Sequence, residues 1–265
     1  MALLKVLLLL LLLGLCFAVS SVSLQKRVIG GENCKDDERQ YHVKIRAYFQ
    51  IYSEICGGSL ISDQWVLTAA HCWVSDLGWV VEAHVGVHPK SAQTEIYTII
   101  QHVNYRDGND REHGIMLLKL PRKTTTQPIK LPDCPDTLLL GTKVQIAGYG
   151  PIAHGLLNIR FLANTQDLQC ADIKIDKYEK LEKILARDKD FQYSYQKWYS
   201  VRSSKKDVAY GDSGGGFVFK NRLYGVLVFL GDPTYAFSAP NGFLDVCGYK
   251  KWIHDTINPL KISSV

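Results

Sequence analysis

Beyond the first 27 residues, apolar, β-branched and aromatic residues come in short runs separated by polar turns. The runs at 41–51, 58–61, 65–69, 80–87, 95–101, 115–120, 143–147, 173–175, 216–219 and 223–230 read as β-strands. Two stretches switch to helical spacing. In 176–187, Tyr178, Leu181, Ile184 and Leu185 recur with Glu and Lys between them, and in 249–257 Trp252, Ile253 and Ile257 do the same. Evenly spaced strands with few helices point to barrels or a sandwich. There is no internal repeat and no low-complexity tract.

The first residues follow a different pattern. Lys5 precedes an unbroken apolar run at 6–13, and the small residues Ala18 and Ser20 follow. This reads as a secretory signal peptide over 1–20, cleaved near 18–20; the alternative, a membrane anchor, is disfavoured because the run is too short to span a bilayer comfortably. A short polar segment, 21–27, then ends in Lys26-Arg27. A dibasic pair in an exposed segment is a natural processing point, with an uncut charged linker as the alternative.

Composition narrows this picture. At 265 residues and 46% hydrophobic, the chain can bury a sizeable core. Of seven cysteines, Cys16 lies in the signal segment, leaving Cys34, Cys56, Cys72, Cys134, Cys170 and Cys247. An even count in an oxidising compartment reads as three disulfides; zinc is disfavoured because no Cys-x-x-Cys pair exists. The net charge of +5 includes Lys5, Lys26 and Arg27, with no acid before Val28. Without them 28 basic and 26 acidic residues remain, a net +2, which calls for no nucleic-acid or membrane partner. No Asn-x-Ser/Thr site occurs.

The candidate chemistry centres on Asp207-Val208-Ala209-Tyr210-Gly211-Asp212-Ser213-Gly214-Gly215-Gly216. A serine between glycines suits a tight turn on which amide N–H groups converge. Those of Gly211 and Ser213 could hold an oxyanion during acyl transfer, although an ordinary turn would use the same residues. Far upstream stands Leu67-Thr68-Ala69-Ala70-His71-Cys72, with an imidazole able to take a serine proton. The two motifs together resemble the chymotrypsin-like (trypsin-type) serine proteases, over nearly all of the chain from Val28.

The resemblance implies an all-β domain over 28–265: two six-stranded Greek-key barrels with the active site between them, a short intermediate helix and a C-terminal helix. It implies His71 as base, Ser213 as nucleophile and Gly211 with Ser213 as oxyanion hole. Cleavage of an activation propeptide after Arg27 would free the α-amino group of Val28 to pair with Asp212. The implied disulfides are Cys34–Cys170, Cys56–Cys72 and Cys134–Cys247, and three bridges common in trypsins are missing. No cofactor or metal is expected, and no membrane anchor. A monomer is expected, acting on a protein or peptide substrate, or on a protein partner if inactive.

Three departures qualify that expectation. The triad acid should immediately precede Ile115-Met116-Leu117-Leu118-Lys119-Leu120, and Gly114 stands there, with Asp110 and Glu112 as distant substitutes. In this same family, losing the acid's charge lowers turnover about 10⁴-fold, or roughly 5.5 kcal/mol of barrier. Asp207 occupies the position that pairs with a substrate Lys or Arg, yet the pocket walls read Val228-Phe229-Leu230 and Asn241 where trypsins carry Ser-Trp-Gly and a glycine. Leu230 and Asn241 should narrow the channel, and a buried Asp207 without a cation would stay protonated. The aromatic, basic stretch 191–206 reads as an interaction surface or as a strand with a solvated loop. The leading expectation is a secreted protease homologue with little or no peptidase activity. The alternative is a weak endopeptidase cutting after Lys or Arg with the Ser213–His71 dyad.

Overall fold

The computed structural model describes residues 28–259 apart from 136, 152–153, 161–164 and 187–194. The expected signal peptide, Arg27 and the start of the aromatic stretch at 191–194 lie outside the described residues.

The strands are β1 (Glu32–Asn33), β2 (His42–Phe49), β3 (Tyr52–Leu60), β4 (Trp65–Ala69), β5 (Val80–Val85), β6 (Glu95–Thr98), β7 (Gln101–Arg106) and β8 (Glu112–Lys119). After a long connection come β9 (Lys143–Gly148), β10 (Gln169–Asp176), β11 (Trp198–Arg202), β12 (Gly216–Phe219), β13 (Arg222–Phe229) and β14 (Asn241–Asp245). Helix α1 spans Tyr178–Leu185 and α2 spans Lys250–Ile257.

These make two antiparallel β-barrels. In the second, β9-β10-β11-β14-β13-β12 closes on itself as six strands, with β1 added outside β10. The first is a half-barrel with seven strands in the order β6-β5-β2-β3-β4-β8-β7. Its long hairpin runs from Phe49↔Tyr52 to His42↔Ser59, so β3 starts earlier than its apolar run alone indicates. Each barrel has its own core: Val43, Ile45, Leu60, Val66, Met116 and Leu118 in the first, and Val144, Ile146, Val201, Phe217 and Phe243 in the second.

A third apolar cluster joins the two. Leu67, Ile115 and Leu117 from the first barrel meet Val218, Leu223, Val226 and Leu244 from the second, with Leu181 of α1 and Ile253 of α2 over them. Burial of this seam fixes β4 and β8 against β13, and the candidate site lies at that junction.

Strands β7 and β14 escape the sequence pattern. QHVNYR is polar and half-buried, and NGFLD carries residues that strands disfavour; pairing with β8 in one case, and with β11 and β13 in the other, supplies what propensity does not. Within 191–206, Trp198, Tyr199 and Val201 are buried in β11 while Tyr195 is half-buried, so the aromatic residues of that strand are core rather than interaction surface. Disulfides join Cys34 to Cys170, Cys56 to Cys72 and Cys134 to Cys247. No helix among the described residues is long and apolar enough to cross a membrane.

Candidate active site

His71 lies in a single 3₁₀ turn, Ala70–Cys72, that follows β4, and Cys72 ties this turn to β3 through Cys56. Across the junction, the Ser213 turn docks on the same hairpin. The Gly57 N–H donates to the Ser213 carbonyl at 2.7 Å, Thr68 Oγ1 donates to the Gly57 carbonyl at 2.8 Å, and Cys72 Sγ lies 3.7 Å from the Ser213 carbonyl. His71 and Ser213 are thereby brought to the same disulfide. Neither side chain has a hydrogen-bond partner among the described residues.

The turn uses its glycines. Gly211 has φ +95° and Gly214 +78°, conformations that L side chains rarely adopt. Among the described residues no acceptor takes the N–H of Gly211 or Ser213. Asp212 points away from the site. Its carboxylate accepts from Gly150 N at 2.7 Å and Ala209 N at 2.9 Å, in a seat that a side chain at Gly148 or Gly150 would occupy. Burial pushes its pKa up to about 6 despite those N–H donors. Val28 is buried within the second barrel's core, and Ile29 bridges to Asp207 beside it.

Position 114, where the resemblance expects an acid, has no room for a side chain. Gly114 is buried in β8, its N–H donating to buried Gln196 Oε1 at 2.9 Å. A Cβ built there would lie 2.7 Å from Val228 Cγ1 and 3.6 Å from Leu244 Cδ1, so the volume of a side chain is already filled. Glu112 and Asp110 are both engaged elsewhere. Both pair with Arg106, at 3.1 and 3.4 Å, and Glu112 also accepts from Asn104. His71 is exposed on its outer edge, yet desolvation by the surrounding chain lowers its pKa, and no carboxylate acts to raise it.

The surroundings of Asp207 hold the largest departure from the expectation. Asp207 is not without a cation. Arg160 Nη2 reaches Asp207 Oδ2 at 2.7 Å, and both side chains are buried, 2% and 3% exposed. Asn241 Nδ2 donates to Asp207 Oδ1 at 2.6 Å, while Asn241 Oδ1 accepts from Gly231 N at 3.0 Å. Leu230 packs half-buried on the second barrel's core. The expectation of a buried Asp207 without a cation is therefore corrected: Arg160 pairs with it inside the chain. Arg160 left no signal in the sequence. Its partner is 47 residues away, and no motif marks it. Val228 was legible only as a wall residue, not as the occupant of the missing acid's volume.

The sole metal-ligand type of cluster among the described residues is Cys56, His71 and Cys72, and its two sulfurs are bonded to each other. Neither sulfur is therefore a thiolate, and the imidazole is left as one ordinary ligand.

A glycine-bracketed serine and a histidine at the seam of two β-barrels define a chymotrypsin-like serine protease fold. Residues 28–253 match the family described as Trypsin, and the chain belongs to that family. It is 31% identical over 254 residues to trypsin V-A of Rattus norvegicus, covering 93% of this chain and 96% of that one. To kallikrein-11 of Mus musculus it is 29% identical over 265 residues, covering 97% and 91%. Among solved structures, neuropsin, a serine protease expressed in the limbic system of mouse brain, superposes with TM-score 0.67 at 27% identity, covering 86% of this chain and 98% of its own. The structure of GrC superposes with TM-score 0.71 at 24% identity, a likeness of fold.

Proposed function

We propose that this chain is a secreted trypsin-family homologue with little or no peptidase activity that works by binding a protein partner or regulating one. The observation that carries the reading is at Gly114: the acid is gone and Val228 occupies its space. Without a carboxylate, the imidazole has nothing to fix its tautomer or stabilise its charged form. The lowered pKa of His71 fits a base working alone. Secretion rests on the apolar run at 6–13 and on three disulfides, which persist in oxidising compartments.

One observation favours the alternative of a weak endopeptidase: the unpaired N–H groups of Gly211 and Ser213 leave an oxyanion hole usable. Among the described residues, Asp212 has only neutral N–H donors, from Gly150 and Ala209, in direct contact. Cleavage after Arg27 would bring a charged amine toward it, and the test therefore uses cleaved protein. Cleaved protein should hydrolyse Lys and Arg peptides at least about 10⁴-fold more slowly than trypsin. Turnover within tenfold of trypsin, lost in Ser213→Ala, would overturn the reading. A fluorophosphonate probe, with the same control, reports separately whether Ser213 is still nucleophilic.

A further inference from the structure

We propose that Arg160 is the resident occupant of the Asp207 cavity: the chain supplies its own guanidinium to the site, and an external guanidinium or amidinium binds there only when Arg160 is removed. The inference goes beyond the impaired chemistry at Gly114, since it concerns occupancy of a cavity whether or not Ser213 reacts.

The cavity is built around a planar cation. Arg160 Nη2 donates to Asp207 Oδ2 at 2.7 Å, Nη1 to the Val208 carbonyl at 2.6 Å and Nε to the Asp232 carbonyl at 2.8 Å. A carboxylate and two carbonyls aimed at three edges of one guanidinium match its fixed fork of donors. The carboxylate is also saturated. Oδ1 accepts from Asn241 Nδ2 at 2.6 Å and Val208 N at 3.0 Å; Oδ2 accepts from Arg160 and from Phe237 N at 2.7 Å. With about four acceptor sites on a carboxylate, an incoming cation finds none free.

Arg160 is also held there by its backbone. Its N–H donates to the Thr234 carbonyl at 2.9 Å, Ile159 bridges Tyr235, and Ala236 N donates to the Asn158 carbonyl at 2.9 Å. The segment 158–160 thus lies as a short ladder along 234–236, and its last residue turns inward. A surface arginine that had drifted into a cleft would lack this ladder and would not be 2% exposed.

The test uses the full chain and benzamidine as the probe, read by calorimetry and thermal unfolding. The wild type should give no binding heat and no shift in Tm at millimolar benzamidine. Arg160→Ala should melt lower than the wild type. Benzamidine at about 100 times its Kd should raise the variant's Tm by roughly 5–10 °C. Adding Asp207→Asn to Arg160→Ala should abolish that rescue. Equal binding by the wild type, or a folded Arg160→Ala that ignores the probe, overturns the proposal. If Arg160→Ala fails to fold, phenylglyoxal modification of the wild type, mapped by mass spectrometry, decides. Arg160 should react at least about 10-fold more slowly than exposed Arg106 and Arg111, because modification requires local opening. Equal rates overturn the assignment.

Discussion

At position 114 a built Cβ comes within 2.7 Å of Val228 Cγ1, so Gly114→Asp forces atoms into occupied space and buries a carboxylate beside apolar groups. Overpacking of this kind costs roughly 1–3 kcal/mol, and the unpaired charge adds to it. The single variant should therefore unfold at lower temperature and gain no hydrolysis. Val228→Ser removes the obstructing methyls and offers a hydroxyl donor, so the double variant should recover part of the loss. The double-mutant cycle should show a favourable coupling of at least about 0.5 kcal/mol. Additive effects would mean that Val228 does not fill the acid's place. At this scale the sequence is uneven. His71 and Ser213 stand in local motifs and can be named from a few neighbours. Gly114 can be named because the apolar run after it fixes its place on a strand. Val228 and Arg160 act across the fold, and nothing beside them in the chain says what they touch.

Among the elements, the His71 turn depends on its tether. The Cys56–Cys72 bridge closes a loop of sequence separation 16 between β3 and the 3₁₀ turn, and cross-linking a loop of that size stabilises by about 3 kcal/mol. Replacing both cysteines by alanine should lower the unfolding free energy by about 2–4 kcal/mol in denaturant titration. The midpoint should fall, and the dependence on denaturant concentration should rise because the unfolded chain loses a constraint. A loss well under 1 kcal/mol would show that packing of the buried seam alone holds the turn. The element pattern was readable where side chains carry it. Ile115–Leu118 in β8 are all fully buried and form a continuous apolar run. It was unreadable in β7 and β14, where pairing with neighbouring strands overrides weak propensity.

For the molecule as a whole, pH acts at the contact between barrels. His42 of β2 packs its ring against Tyr149 beyond β9, centroids 5.7 Å apart, and is buried. Desolvation, with Arg39 and His88 adding to it, pushes its pKa down to about 3. A folded pKa below the unfolded 6.5 means that its contribution is present above 6.5 and is lost as pH falls toward 3. Between pH 7 and pH 4 that loss amounts to about 3 kcal/mol. Asp212 has the opposite sign: with a folded pKa raised to about 6, its contribution is present below the ordinary carboxylate range and lost as pH rises through 6. Comparing the uncleaved wild type with His42→Leu isolates the histidine. The wild type should lose about 3 kcal/mol more than the variant between pH 7 and pH 4 in denaturant titration. Equal losses would show that His42 does not stay neutral in the folded chain.

The sequence by itself determined the strand-rich character and the two helices, and it marked the motifs around His71 and Ser213 and the glycine at 114. All of these are written in short-range patterns: periodicity, turn glycines and adjacency to an apolar run. Only the tertiary structure decided what fills the spaces those residues leave. Val228 lies against Gly114 because β13 crosses β8 at the seam, and Arg160 meets Asp207 because the 158–160 segment pairs with 234–236. Such contacts join residues far apart in the chain, and the volume and charge balance that select them exist only once the barrels have packed.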